Sequence, residues 1–265
     1  MEMPELIWEE FNFEDPDGGR IIFWPHIPCL RMPSKLRSHS NFDGVAFLNS
    51  SLDLKSWIAD AEQEKNSPGI HRDSAIASGT LFGRLMSDLN ELDVDGPMIP
   101  DPEQMRLLLH AQNSRGGMPV YAIEPELEDE EWVDWQISSA DQQVTYLNLM
   151  LTLTTGRRWK KQRKHAITLV PSSKHVNADL GAAAASAMTW WFEEQRGLSD
   201  ELIALRDARF VSRIRGALRD LHNSRVDDTK AQETTLLVPI HQARLPSIKK
   251  AISSCMDVEL ITQED

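Results

Sequence analysis

Val144-Thr145-Tyr146-Leu147-Asn148-Leu149-Met150-Leu151-Thr152-Leu153-Thr154 is the stretch on which the fold turns. Extended, it sends Thr145, Leu147, Leu149, Leu151 and Leu153 to one face, the two-residue period of a strand. The preceding Ser139-Ala140-Asp141 could equally cap a helix. Thr152, Thr154 and Thr155 weaken a helix at its far end, and the strand reading is preferred. Read so, 144–154 pairs with Trp132–Ser138 in an antiparallel hairpin turning near Ser139–Gln142. With Val120–Ile123 and Ala166–Val170, the middle of the chain becomes sheet.

Working outward, the best-marked helix is 102–114. Asp101 supplies the N-cap, Pro102 suits the first helical position and Glu103 favours the positive end of the dipole. Gly116 and Gly117 then offer a left-handed stop. Upstream, the turn Asp15-Pro16-Asp17-Gly18-Gly19 leads into a strand at Ile21–Trp24. A second strand at Val45–Leu48 is followed by a helix near Leu54–Glu64. A further helix, capped by Asp73 or Ser74, runs to about Leu92. Downstream, Leu180, Ala184, Ala187, Met188 and Trp191 make one helical stripe. Ile203, Phe210, Val211, Ile214, Leu218 and Leu221 make another. The chain then reads as strand 235–240, helix 246–254 and strand 258–262, with room for a right-handed parallel crossover. The fold class is mixed α/β: a central mixed sheet with antiparallel hairpins, flanking helices and a C-terminal strand–helix–strand unit. Residues 1–117 form an N-terminal α/β region, a candidate separate lobe, and 118–265 a sheet-plus-helices region.

The chain of 265 residues carries 28 basic and 41 acidic side chains, a formal net charge of −13. That balance argues against a general nucleic-acid coat protein, so any contact with a polyanion has to be local. Cys29 and Cys255 stand far apart, giving no disulfide framework or paired-cysteine metal motif, which fits a reducing cytoplasm. The N-terminus lacks a basic region followed by a long apolar stretch, and no run is long enough for a membrane helix. The eight histidines show no metal-ligand spacing, and neither metal nor cofactor is expected.

Against this acidic background, Arg157, Arg158, Lys160, Lys161, Arg163 and Lys164 lie within eight residues, with Trp159 among them. Projecting as a loop, they would grip a phosphate backbone while Trp159 stacks on a base. An acidic counterpart spans Glu124 to Asp134, and the 132–154 hairpin would lay the two runs side by side and partly neutralise them. Three loops where strands give way to helices are candidate ligand sites: Asn49-Ser50-Ser51, the segment 172–177, and His241-Gln242-Ala243-Arg244. In the middle one, Ser172, Ser173, Lys174 and His175 precede a helix N-terminus, an anion-binding arrangement; the simpler account is helix capping. Asp93-Val94-Asp95 offers paired carboxylates, but Gly96-Pro97 follows where a Mg²⁺ site would need a continuing strand. Arg206, Arg209, Arg213, Arg215 and Arg219 flank a buried stripe and could form a second phosphate-facing surface. Trp190, Leu202 and Leu205 fall off the apolar stripes and could mark a partner interface.

The leading expectation is a non-enzymatic, cytoplasmic subunit of a larger assembly that touches nucleic acid through 157–164 and meets other protein subunits. The runner-up is an enzyme acting on a phosphorylated small molecule or nucleotide at the strand-end loops. A protein–protein adaptor is the third. No residue pattern separates catalysis from binding.

Overall fold

The computed structural model describes residues 3–224 and 234–263. An N-terminal hairpin, β1 (Phe11–Glu14) and β2 (Arg20–His26), turns over Asp15 to Gly19. After β3 (Gly44–Phe47) come α1 (Ser51–Asn66), α2 (Ile70–Ala77), α3 (Leu81–Asn90) and α4 (Pro102–Asn113). Then follow β4 (Val120–Ala122), α5 (Glu130–Gln143), α6 (Tyr146–Thr152), α7 (Thr155–Thr168), α8 (Ala178–Glu194) and α9 (Asp200–Ser224). The last elements are β5 (Thr235–His241) and α10 (Leu245–Ile252).

The five strands form one mixed sheet in the order β1-β2-β5-β3-β4, antiparallel only at the β1 edge. Because β5 inserts between β2 and β3, the sheet runs across the 117/118 boundary. Its parallel strands are buried on both faces, as strands covered by helices must be, while the edge strand β1 is half-exposed. Ile22, Trp24, Val45, Phe47 and Leu237 face a core shared with α3, α4 and α8. Ile21, Phe23, Ala46, Tyr121, Leu236 and Val238 face α9 and α10.

The mixed α/β class, the flanking helices, and the elements at 102–114 and 235–240 match the sequence reading. The middle of the chain matches only at 120–123, where β4 lies. Residues 132–138, 144–154 and 166–170 lie in or beside α5, α6 and α7 and form no strand. In α5, Asp129 caps the helix by accepting from the Trp132 N–H at 2.9 Å. Trp132 and Trp135, three residues apart, stack at 4.7 Å, so the aromatic pair follows the helical period rather than the extended one. Around α6, Val144, Tyr146, Leu149, Met150 and Leu153 are exposed. Among the described side chains, the apolar alternation there reports no fully buried face.

Two smaller corrections follow the same logic. The helix expected from residue 73 to 92 is two, because Gly79 takes a left-handed φ and Thr80 starts α3 afresh by accepting from the Gly83 N–H at 3.1 Å. Residues 258–262 form no strand. They lie on α9, where the Glu259 N–H donates to the Ser212 carbonyl and the Glu259 carboxylate meets Arg209 and Arg213. Gly216 permits that approach, since a Cβ there would overlap the Glu259 carbonyl oxygen.

The basic run forms most of α7, and its inner side is core. Trp159 is 5% exposed and donates from Nε1 to Asp88 of α3 at 2.9 Å. Trp159→Ala is therefore expected to cost about 3–5 kcal/mol in urea denaturation. Lys160→Ala and Lys161→Ala, on the solvent side, should stay within about 0.5 kcal/mol. Equal effects at the three positions would contradict this orientation of the helix.

Candidate functional site at the carboxyl ends of the parallel strands

β2, β5, β3 and β4 run in one direction, so their carboxyl ends share an edge of the sheet, where open α/β folds collect ligands. His26 closes β2 and His241 closes β5, and the two residues are register partners across the strand pair. Both lie in phase with the side chains that face α4 and α8, since Trp24 and Leu237, at even spacing from them, belong to that core. Their rings meet edge to face at 5.2 Å. Trp24 stacks on His26 at 5.5 Å, and Trp190 of α8 tilts against His241 at 5.9 Å.

Asp101 completes the cluster. Its Oδ1 caps α4, accepting from the Glu103 and Gln104 N–H groups at 3.0 Å. Its Oδ2 accepts from the Cys29 N–H at 2.7 Å and lies 3.5 Å from His26 Nε2. One ligand atom from each of His26, Asp101 and His241 lies within 4.8 Å of the others. Beyond that 3.5 Å approach, neither ring nitrogen of the fully buried His26 has a hydrogen-bond partner among the described residues. Gln104 Nε2 lies 3.5 Å from His241 Nε2.

The loop leaving β2 is held tightly to this centre. Cys29 has φ 62°, a left-handed conformation uncommon for a residue with a Cβ. It is held there by its N–H bond to Asp101 and by its carbonyl, which accepts from Met98 N at 2.8 Å. One turn along, the buried Glu103 carboxylate accepts from the Met32 N–H at 2.9 Å, from Arg37 at 2.7 and 2.9 Å and from Arg106 at 2.7 Å.

Electrostatics leave His241 and Asp101 with available lone pairs. Burial, aided by His26 and Arg244 and opposed by Asp101, pushes the His241 pKa down to about 3, so its imidazole is neutral. Burial alone would raise the Asp101 carboxyl. His26, His241 and the Cys29 N–H outweigh it and hold the group below its ordinary value, as a carboxylate. Along the same edge, burial and Asp53 raise the Glu124 carboxyl while Arg244 opposes them. Arg244 lies over the rings of Trp191 and Phe210, and burial and Arg206 lower its pKa to about 9.

Of the sequence-derived sites, the loop 241–244 reaches this edge, and so does Asn49-Ser50-Ser51, where Ser50 and Asp53 form a capping box for α1. Ser172, Ser173, Lys174 and His175 do not. They join α7 to α8, helix to helix, and the cap is Asn177, accepting from the Leu180 N–H at 2.8 Å. Lys174 and His175 instead line a cleft of about 580 Å³ with Arg31, Arg37, Asp93 and Asp95.

The basic run is a helix rather than a projecting loop, and it is not neutralised by residues 124–134. Asp129 and Glu131 pair with Arg209 of α9. Arg158 reaches Glu193 of α8 at 2.7 Å, and Arg163 reaches Ser186 Oγ at 2.7 Å and Asp88 at 3.2 Å. With Trp159 buried, base stacking by that ring is ruled out. Arg157, Lys160, Lys161 and Lys164 are exposed and carry no ion pair among the described residues. The α9 arginines are spent internally: Arg206 on Asp207, Arg213 on Glu259, Arg215 on Asp15 and Asp17, and Arg219 on Asp17. Trp190 packs against Phe82 and His241, while Leu205 is exposed.

Sequence reasoning missed His26, Asp101 as a ligand, and the pairing of His26 with His241. Only the end-of-strand position of the two histidines hinted at it. No family model, curated protein or solved structure matches the chain, so function is argued from this geometry.

The Arg158–Glu193 contact sets a pH expectation. Burial would raise the Glu193 carboxyl, but Arg158 and Arg196 bring it below its ordinary value. A carboxyl so depressed contributes stability that is complete above about pH 4.3 and disappears as pH falls through its lower folded value. Glu193→Gln should therefore lose about 2 kcal/mol near pH 7, with the difference from wild type shrinking below about pH 4. A gap that holds constant to pH 3 in urea titrations would contradict the ion pair's role.

Proposed function

We propose that His26, His241 and Asp101 form the binding site of one divalent transition-metal ion, and that the protein is a hydrolytic enzyme acting through it. The observation that carries this reading is the convergence of three ligand atoms from β2, β5 and the α4 N-terminus, with His26 Nδ1 buried and unpartnered and Nε2 no nearer a partner than Asp101 Oδ2 at 3.5 Å. Leaving a buried polar atom unsatisfied costs about 1–3 kcal/mol, a cost that coordination would remove at one nitrogen. Two imidazoles and a carboxylate suit zinc, iron or manganese. Three protein ligands leave a further position for water, which such an ion makes acidic enough to act as a nucleophile near neutral pH.

The chain's own residues supply the rest of the arrangement. Asp101 is oriented by three backbone N–H groups, which fix the carboxylate before any ion arrives. Arg244 and Glu124 follow along the strand ends as a cation for an anionic substrate group and a carboxyl with a raised proton affinity. This reading continues the expectation of an enzyme at the strand-end loops and leaves the substrate class to experiment.

Purified protein stripped with chelator and titrated with Zn²⁺, Mn²⁺ or Co²⁺ should bind one ion per chain. With Co²⁺, visible absorption should report nitrogen and oxygen ligands. An ion at 100 times its Kd should add about 2.7 kcal/mol to stability. His26→Ala or His241→Ala should weaken binding at least tenfold. Metal-dependent turnover of ester, phosphoester or peptide probes, lost in both variants, would support catalysis. Unchanged stoichiometry and affinity in the double variant would overturn the site. One bound ion without turnover of any probe would make it a structural tie between β2, β5 and α4.

A further inference from the structure

We infer that the solvent face of α7 is a docking surface for the phosphate backbone of a nucleic acid. Arg157, Lys160, Lys161 and Lys164 stand at i, i+3, i+4 and i+7, which places all four on one stripe of the helix. All four are exposed.

Their isolation is the informative part. In a chain with 41 acidic side chains against 28 basic ones, most arginines find a carboxylate, and those of α9 do so along the length of the helix. On α7 the division follows the helical period. Arg158 and Arg163, on the inner side, pair with Glu193 and Asp88. The outer four have no ion pair among the described residues. A merely solvated helix in so acidic a chain would be expected to interleave acids for i,i+4 pairing, yet residues 155–168 contain no Asp or Glu.

The stripe is also held rigidly. Trp159 and Ala166 are buried, and the Arg158, Trp159 and Arg163 contacts anchor three positions of the helix to α3 and α8. Cations presented on a fixed helix lose little further freedom when they bind.

The chemistry favours phosphate over a lipid surface. Trp159 is buried and only Ile167, at the far end of the helix, is an exposed aliphatic side chain beside the stripe, which is too little apolar area to insert among acyl chains. From Arg157 to Lys164 the stripe rises about 10 Å, the span of about three phosphates along one strand of a duplex. With Trp159 buried there is no stacking platform, and contact through charge alone reads no sequence. The acidic remainder of the surface confines the duplex to this face and keeps affinity modest. The site is independent of the strand-end cluster.

The test is binding of a labelled 20-base-pair duplex across a salt series. Neutralising three to four phosphates predicts a log–log slope of about −3 to −4. Arg157→Glu combined with Lys160→Glu, Lys161→Glu and Lys164→Glu should abolish the slope and weaken binding more than tenfold, with thermal unfolding unchanged because these side chains hold nothing in the fold. Arg219→Ala, on α9, should bind as wild type. Unchanged duplex binding in the fourfold variant would overturn the proposal. So would wild-type protein that binds phosphatidylserine vesicles or polyglutamate but not the duplex.

Discussion

One carboxylate organises the end of the sheet where the candidate chemistry lies. Asp101 uses one oxygen to start α4 and the other to fix the backbone of Cys29, and that second oxygen faces His26. Capping and positioning are thus a single act. The helix cannot shift without moving the carboxylate, and the loop after β2 cannot relax without releasing it. Glu103 repeats the arrangement two positions later by binding Met32 N, Arg37 and Arg106. Charge-assisted bonds of this kind are worth more than neutral ones, which accounts for two acids buried at a helix N-terminus where a small cap would have sufficed.

The legibility of the chain follows the range of the interactions. Asp101-Pro102-Glu103 announced α4 because capping is local, and the same Asp101 as a metal-ligand candidate was invisible because its partners are 75 and 140 positions away. The parallel strands declared themselves as short apolar runs. The error at 144–154 has a different origin. Periodicity reports burial, and most of the apolar side chains there stand in water, so neither the two-residue nor the helical pattern was anchored to a core. The flanking signals were the better guide: Asp129 three residues before Trp132, and a Trp pair at helical spacing.

The basic run shows how charge density misleads when geometry is unknown. Counted along the chain it was six cations and an aromatic ring. Wound into α7 it divides by period into an inner set that packs and an outer set that faces solvent. The inner arginines resemble those of α9 in being matched to acids at close range, where partial burial limits screening. Only the outer four retain the long-range field that the sequence attributed to the whole run.

α8 connects these regions physically. Its small-residue run, Ala182 to Ala187, lies where α8 packs closely on α3 and α7, and those alanines are largely buried. Trp190 then reaches His241 at the strand end, while Glu193, one turn later, anchors Arg158 of α7. The inner face of α7 and the strand-end cluster are therefore held by one continuous helix, although they share no residue. Because a helix is stiff over a single turn, the ion pair at Glu193 and the ring at Trp190 constrain the same rigid body.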